Sequence, residues 1–488
     1  MDSKQRRLSE IVSKQNVFND SKTLEAYSSD QSFVQPLKPQ FIVKPGNTHE
    51  IQEIVLWANE TLTPLIPVSS GSPRFRGDTV PTAPEAVIID LSRMNNIVRI
   101  DRRNRMALIE PGVTFAQLQP ELAKKGLSLS TPLLPRRSKS VVASLLEREP
   151  TLIPKFSFTL IEPLRCTEVV WGNGEILRTG EASGYPTLEQ QWEMGLAQVT
   201  PTGPGQTDYF RLVSGAQGSM GIVTWASVRC QIIPKIHKLF FIPTDNLRDL
   251  IECAYRLLRV RLGDEFFIAN SATLSSILGK NYDEIKAIKD RLPPWTIIVG
   301  IAGRYILPEE KADFQENDIR DIARQFGLQL VPAIPGASNR QVMKAILNPS
   351  EEPYWKLKYK GAIQDIFFLT TLNRTPEFVD IMNSEANLRR FPISDIGVYI
   401  QPQHQGVLCH CEFSLPFNPQ KQSEVSKVKE LYAEGSEALI KRDAYFSRPY
   451  GIWADMVYGR DVSNTTMLKT VKGIFDPKSI LNPGKLCF

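Results

Sequence analysis

Three stretches of small residues occur where main-chain amides could approach a phosphate. The first, Ser69-Ser70-Gly71-Ser72-Pro73-Arg74-Phe75-Arg76-Gly77, directly follows the apolar run Leu65–Val68. Ser69, Ser70, Gly71, Ser72, Pro73 and Gly77 keep that loop free of bulk, so its amides can hydrogen-bond a pyrophosphate. The second is Glu110-Pro111-Gly112-Val113-Thr114-Phe115, and the third runs from Ser214 to Thr224 through Gly218, Gly221, Ile222 and Val223. Each alone reads equally as a turn, a cap or a bulge. A different chemistry is suggested by His404, His410 and Glu412, which share one parity, so an uninterrupted strand over 399–413 projects all three from one face. Such a cluster offers a general base or a weak metal site, or holds ordinary structural histidines.

The elements that position these residues follow from periodicity. An extended stretch at 41–43 leads into a helix over 48–58, with Thr48 as its cap and Ile51, Ile54, Val55 and Ala58 on one side; the strand at 65–68 then returns. Strands at 86–91 and 106–109 precede a helix over 115–125 that Gly126 stops, and Gly172-Asn173-Gly174 reads as the turn of a hairpin. Another strand covers 221–229. Beyond Pro234 the segments lengthen: amphipathic helices at 247–261, 275–288, 309–326 and 425–439 alternate with strands such as 295–301 and 396–400. That order predicts an α+β chain whose second part has helices over an antiparallel sheet.

The order and separation of the three small-residue segments resemble the FAD domain of the vanillyl-alcohol oxidase and p-cresol methylhydroxylase (PCMH-type) superfamily, to which glycolate and D-lactate dehydrogenase flavoproteins are related. The resemblance covers roughly 38–235 and the last stretch, from Phe475-Asp476-Pro477 to Asn482-Pro483-Gly484-Lys485. It implies a two-part FAD-binding domain over 38–235, an N-terminal extension over 1–37, a substrate or cap domain over 236–445, and a return to the FAD domain over 446–488. The run Ser140-Val141-Val142-Ala143-Ser144-Leu145-Leu146-Glu147-Arg148 looks most like the 4-alkylphenol branch and adds Ser140, Val141 and Ser144 to the implied cofactor contacts. It departs at Ala143 and Glu149, where that branch carries Gly, and the 155–159 stretch lacks the acidic residue the branch keeps beside the flavin N5. A nicotinamide alternative fails because no Gly-x-Gly-x-x-Gly follows a strand with an acidic residue about 20 positions on.

Set against the phenol-oxidising branch, Arg76 falls where a phenol-binding tyrosine stands, and Ser447-Arg448-Pro449 matches a Tyr-Arg-Thr run that keeps only its arginine. The resemblance puts Arg448 at the flavin pyrimidine edge, where a cation stabilises charge on the reduced ring. Two guanidinium forks suit a carboxylate. The implied activity is hydride transfer from a small anionic organic substrate to noncovalently bound FAD, with Arg448, Arg76, His404 and His410 as the catalytic candidates. His404, His410 and Glu412 resemble the metal-holding histidines of the glycolate and D-lactate branch only loosely, and no metal is expected. The alternatives are a non-redox transferase resembling alkylglycerone-phosphate synthase and a noncatalytic flavoprotein subunit.

Composition narrows the partners. Among 488 residues, 58 Lys+Arg against 53 Asp+Glu give a net charge of +5 without a block of like charge, so no nucleic-acid partner is expected and arginine pairs such as Arg136–Arg137 read as solvated. The six cysteines form neither a disulfide framework nor a cluster-binding set, so electrons are expected to leave to oxygen or, in preference, to a separate carrier: an electron-transfer flavoprotein, an iron–sulfur subunit or a cytochrome. The polar start and the absence of a run near ~18 apolar residues predict no transmembrane segment and a cytoplasmic location, with a homodimer left open.

Overall fold

The structure, a computed structural model, describes residues 3–155, 163–184, 187–203, 205 and 207–488. Its first sheet has Phe41–Val43, Val87–Asp90 and Leu65–Val68 in parallel, with Val17–Phe18 antiparallel at one edge. These strands are apolar almost throughout because both faces are covered. The helix Thr48–Thr61 makes the crossover and buries Ile51, Ile54, Val55, Trp57 and Ala58. Its cap is Asn47, whose side chain accepts from the Glu50 amide, rather than Thr48. Thr48 is already helical, and its hydroxyl instead donates to Glu168 Oε1 at 2.8 Å.

A second sheet is antiparallel, in the order Ile97–Asp101, Met106–Ile109, Gly221–Arg229, Leu164–Trp171, Ile176–Arg178. The hairpin turn over 172–174 forms as read from the sequence, with Gly174 at φ +87°. Thr114 caps the helix Phe115–Lys124 through a reciprocal capping box with Gln117.

The third sheet has six strands, in the order Ile236–Thr244, Trp295–Gly303, Phe266–Asn270, Gly397–Gln403, Leu408–Phe417, Ala362–Thr370, and all its pairings are antiparallel. Alternate residues serve two cores. Phe240 and Ile242 join Leu250, Leu257, Ile319 and Leu431 from the long helices on one face, while Leu239 and Phe241 meet Leu133, Leu134 and Leu152 on the other. The mixed helix-and-sheet class with an antiparallel sheet is thus the observed one. The single helix expected over 275–288 is two, Ser271–Leu278 and Tyr282–Lys289. Gly279 lies so close to Ile285 that a Cβ would come within 2.9 Å of its amide nitrogen, and Asn281 caps the second helix. Among the described residues no helix is long and apolar enough to cross a membrane.

After the helix Val462–Phe475, the chain returns to the first two sheets. Asp476, fully buried, accepts from Lys472 Nζ at 2.5 Å and from the amides of Ile480 and Leu481 at 3.0 and 2.8 Å. Lys472 also donates to the carbonyls of Ser219 and Leu481. A Cβ on Gly172 would sit 2.3 Å from the Asp476 Cβ, so the hairpin tip is shaped around this carboxylate. Asp476→Ala should therefore cost about 3–5 kcal/mol, because it strands a buried ammonium and two amides at once. Denaturant melts of both proteins would check this, with an unchanged midpoint counting against the hub.

Candidate functional site

The loop after Leu65–Val68 is held from behind. The Gly71 amide donates to the Ser138 carbonyl at 2.9 Å, Arg136 Nη1 donates to the Gly71 carbonyl at 2.7 Å, and Ser138 Oγ donates to the Ser72 carbonyl at 3.2 Å. Pro73 follows, half-buried. Arg136 is thereby buried, with its guanidinium 5.4 Å from the Phe75 ring, and not solvated as its sequence context suggests. Gly77 sits at φ +74° with its amide donating to Asp30 Oδ2 at 2.6 Å. On the third segment a Cβ at Gly218, φ +70°, would strike Pro67 at 2.5 Å, and one at Gly221 would strike Val169 at 2.5 Å. Glycine is required at both places for the segment to close on the strands beside it.

Between these segments lies a cleft of about 1230 Å³. Ser69, Ser70, Gly218, Gly221, Ile222 and Val223 line it, as does one face of the short helix Val141–Leu146 through Val142, Ala143 and Leu146. Val141 is on the buried side of that helix. Ser140 caps the helix, accepts from the Ala143 amide and donates to the Pro111 carbonyl, and Ser144 donates to Glu149. These three therefore support the cleft wall, as do Gly71, Ser72, Pro73 and Gly77. Two buried polar atoms of cleft residues, Thr79 Oγ1 and Glu147 Oε2, have no hydrogen-bond partner, and an elongated polar cofactor is what the cleft is suited to satisfy them with.

At one end the cleft opens on an inner pocket of about 400 Å³ that Arg76 and Arg448 line together. Their guanidinium carbons lie 4.2 and 4.1 Å from the centroid of one ring, Phe367, so the two cations are at most about 8 Å apart. Burial, and next the like charge of Arg76, lower the Arg448 pKa from its ordinary value. Arg76 moves the other way. Burial opposes its charge, but Asp365 and Glu149 outweigh that, with Glu149 Oε1 at 4.0 Å. Glu149 itself is held below the usual carboxylate range against burial by Lys139, Arg76, Ser144 and Arg448.

The strand expected over 399–413 is instead a hairpin. Gly397–Gln403 and Leu408–Phe417 are joined by a turn in which His404, Gln405 and Gly406 take φ of +47°, +55° and +82°. The left-handed turn carries His404 off the face that His410 and Glu412 share, so the three-residue cluster does not form. Among the described residues no group of three His, Cys, Asp or Glu side chains could hold a metal. His410 and Glu412 remain together, with Nε2 3.4 Å from Oε2. Lys356 Nζ bridges Glu412 Oε1 at 2.5 Å and Asp365 Oδ2 at 2.8 Å. His410 Nδ1 faces Arg448 Nη2 at 3.4 Å; since an arginine only donates, Nδ1 accepts and Nε2 carries the proton.

Residues 39–180 match the FAD binding domain family. Crystalline p-cresol methylhydroxylase with substrate bound superimposes with a TM-score of 0.84 at 18% identity, over 99% of this chain and 96% of that one. The chain's fold is thus that of the PCMH-type flavoproteins, with the FAD binding domain over residues 39–180. FAD is its cofactor, and its relatives include proteins named as FAD-linked oxidoreductases. The D-2-hydroxyglutarate dehydrogenase of Stutzerimonas stutzeri is 22% identical over 504 residues, 98% of this chain and 97% of that protein. The 4-cresol dehydrogenase [hydroxylating] flavoprotein subunit of Pseudomonas putida is 26% identical over 272 residues, 55% and 49% of the two chains.

Several groups in the pocket escape a reading by motif: Glu149, Tyr354, Lys356 and Tyr399 line it from three separate segments. Asp365 has a legible signal, being the one charged residue of the strand Ala362–Thr370. The 155–159 stretch, in which no acidic residue was found, lies outside the described residues after Lys155.

The buried histidine has a consequence for pH. Burial pushes the His410 imidazole down to about 4; Glu412 opposes the shift and Arg448 adds to it. Between pH 6.5 and 4 the unfolded chain then takes up a proton that the folded chain refuses, so stability falls as pH drops through that window, by up to about 3 kcal/mol. Denaturant titrations from pH 7 to 4 should show the loss in the wild type and a shallower one in His410→Gln; equal slopes would refute the assignment.

Proposed function

We propose that this flavoprotein oxidises a small carboxylate-bearing molecule by hydride transfer, with the substrate anion anchored at Arg76 and Arg448 supplying a second cation in the same pocket. The supporting observation is the state of Arg448. It is 5% exposed, and no carboxylate approaches within 4.0 Å among the described residues; its neighbours are the Phe367 ring and His410. An unpaired buried cation is costly, and an anion entering the pocket it lines relieves that cost. The relative named for D-2-hydroxyglutarate acts on an acid, which agrees with this reading.

FAD, when bound, supplies the hydride acceptor. The protein residues orient and balance charge. Arg76, whose charge Asp365 and Glu149 sustain, anchors the carboxylate at the junction of cleft and inner pocket. Arg448, which lines the inner pocket with Arg76, would offset negative charge as it develops during the reaction. His410, neutral and with its proton on Nε2, steadies Arg448 and is not free to act as a base through Nδ1. Glu149 lines both cleft and pocket, so its position lets it accept the substrate proton, as a weak base because Lys139 and Arg76 hold its pKa down. The electrons then pass to a separate carrier, a role in keeping with a relative that is itself a flavoprotein subunit.

Arg76→Ala should weaken binding of an acid substrate by roughly 2–5 kcal/mol, while Arg448→Ala should mainly slow the hydride step. Anaerobic stopped-flow bleaching of the flavin by a panel of carboxylic acids separates the two effects. If neutral phenols reduce the wild-type flavin better than every acid tried, the two-arginine reading is wrong.

A further inference from the structure

A second cavity, of about 880 Å³, adjoins the site and has no part in the mechanism above. Arg76 lines this cavity, the cofactor cleft and the inner pocket alike, and Phe75, Asp365 and Tyr450 are shared by the cavity and the cleft. The three spaces therefore meet at one guanidinium. The walls of the cavity are largely aromatic and aliphatic, including Phe33, Val34, Ile363, Phe367, Ile452 and Trp453. Arg76 is the one cation of its described lining. The carboxylates there are Asp365, which is bound to Lys356, and Asp455.

One wall comes from Ser32, Phe33 and Val34 of the segment 30–34, which precedes the residues matched to the FAD binding domain family. This strap is fastened beside Arg76. Asp30 Oδ1 accepts from the Ser32 amide and hydroxyl, and Asp30 Oδ2 accepts from the Gly77 amide at 2.6 Å. Val34 then lies so close to Gly77 that a Cβ there would meet Val34 Cγ2 at 2.4 Å. Phe33 stacks on Phe417 at 5.9 Å and fixes the strap to the third sheet.

We propose that this outer cavity receives the apolar, ring-bearing end of an amphiphilic carboxylic acid whose carboxylate reaches Arg76, and that the 30–34 strap limits the bulk of that end. The proposal rests on the carboxylate reading of Arg76. Charge sets the orientation, because an anion entering this cavity finds attraction only at its inner end, while a hydrocarbon end gains by leaving water for the aromatic walls. Relative size points the same way: counted with open solvent, the outer space of about 880 Å³ is roughly twice the inner one of about 400 Å³, so the larger end of the molecule fits outside.

The test is calorimetric binding of three unreactive probes to the FAD-loaded protein: 3-phenylpropanoate, propanoate and 3-phenylpropanamide. Burial of a phenyl ring should make 3-phenylpropanoate bind at least about tenfold more tightly than propanoate. Val34→Trp, which fills the cavity from the strap, should abolish that advantage and leave propanoate binding unchanged. Should Val34→Trp fail to fold, Ile452→Trp fills the cavity from the opposite wall and carries the same expectation. Equal binding of the two acids by the wild type, no measurable binding of either, or an equal loss for both in a filled variant would overturn the proposal. Binding of the amide as tight as that of 3-phenylpropanoate, with the advantage still lost in the filled variant, would uphold the cavity while removing the carboxylate reading.

Discussion

Two guanidinium groups share one buried aromatic ring, and much of the surrounding charge is arranged around that crowding. Phe367 offers each cation a π face at about 4 Å, which softens desolvation without neutralising either. Around them the charges alternate. Glu149 stands by Arg76, His410 separates Arg448 from Glu412, and Lys356 ties Glu412 to Asp365. Asp365 in turn accepts from Ser414 Oγ at 2.7 Å. Glu412 is accordingly ionised despite burial, chiefly through Lys356. A neutral imidazole between a guanidinium and a carboxylate transmits orientation rather than charge, which leaves the cation available to something that enters from outside.

This arrangement couples the halves of the molecule. Arg76 and Glu149 come from segments beside the cofactor cleft, whereas Lys356, Phe367, His410 and Glu412 come from the six-stranded sheet or its approach. Leu133 and Leu152 pack against the inner face of that sheet, so the apolar contact that joins the halves runs directly alongside the charged pocket. Displacing the sheet would therefore disturb the Arg76–Phe367 contact and the hydrophobic seam together.

How far the sequence was readable follows from the range of each constraint. The cofactor loops leave local traces, because Gly218 and Gly221 are required by contacts with strands that are themselves apparent as apolar runs. Arg76 and Arg448 could be aligned with family positions, and both do reach one pocket. The pocket's remaining members could not be found this way, since Glu149, Lys356 and Tyr399 are brought together only by tertiary packing. His404 was misplaced for a definite reason: period-two parity holds only while the strand continues, and Gly406 allows a left-handed turn that ends it. The same local breaking at Gly279 divided a helix that periodicity alone had joined.

Residues 482–485 bear on the order in which the cleft is completed. Asn482 Nδ2 donates to the carbonyls of both Asp78 and Gln217, and Lys485 Nζ reaches those of Gly77 and Val80, so these two residues lace together the two loops flanking the cleft. Chains fold N-terminal units first as they are made. Asn482 and Lys485 follow every strand of the three sheets in the sequence. The sheets can therefore form before the loops are laced, and a chain cut short ahead of residue 482 would keep its strands while its cleft stayed unsecured.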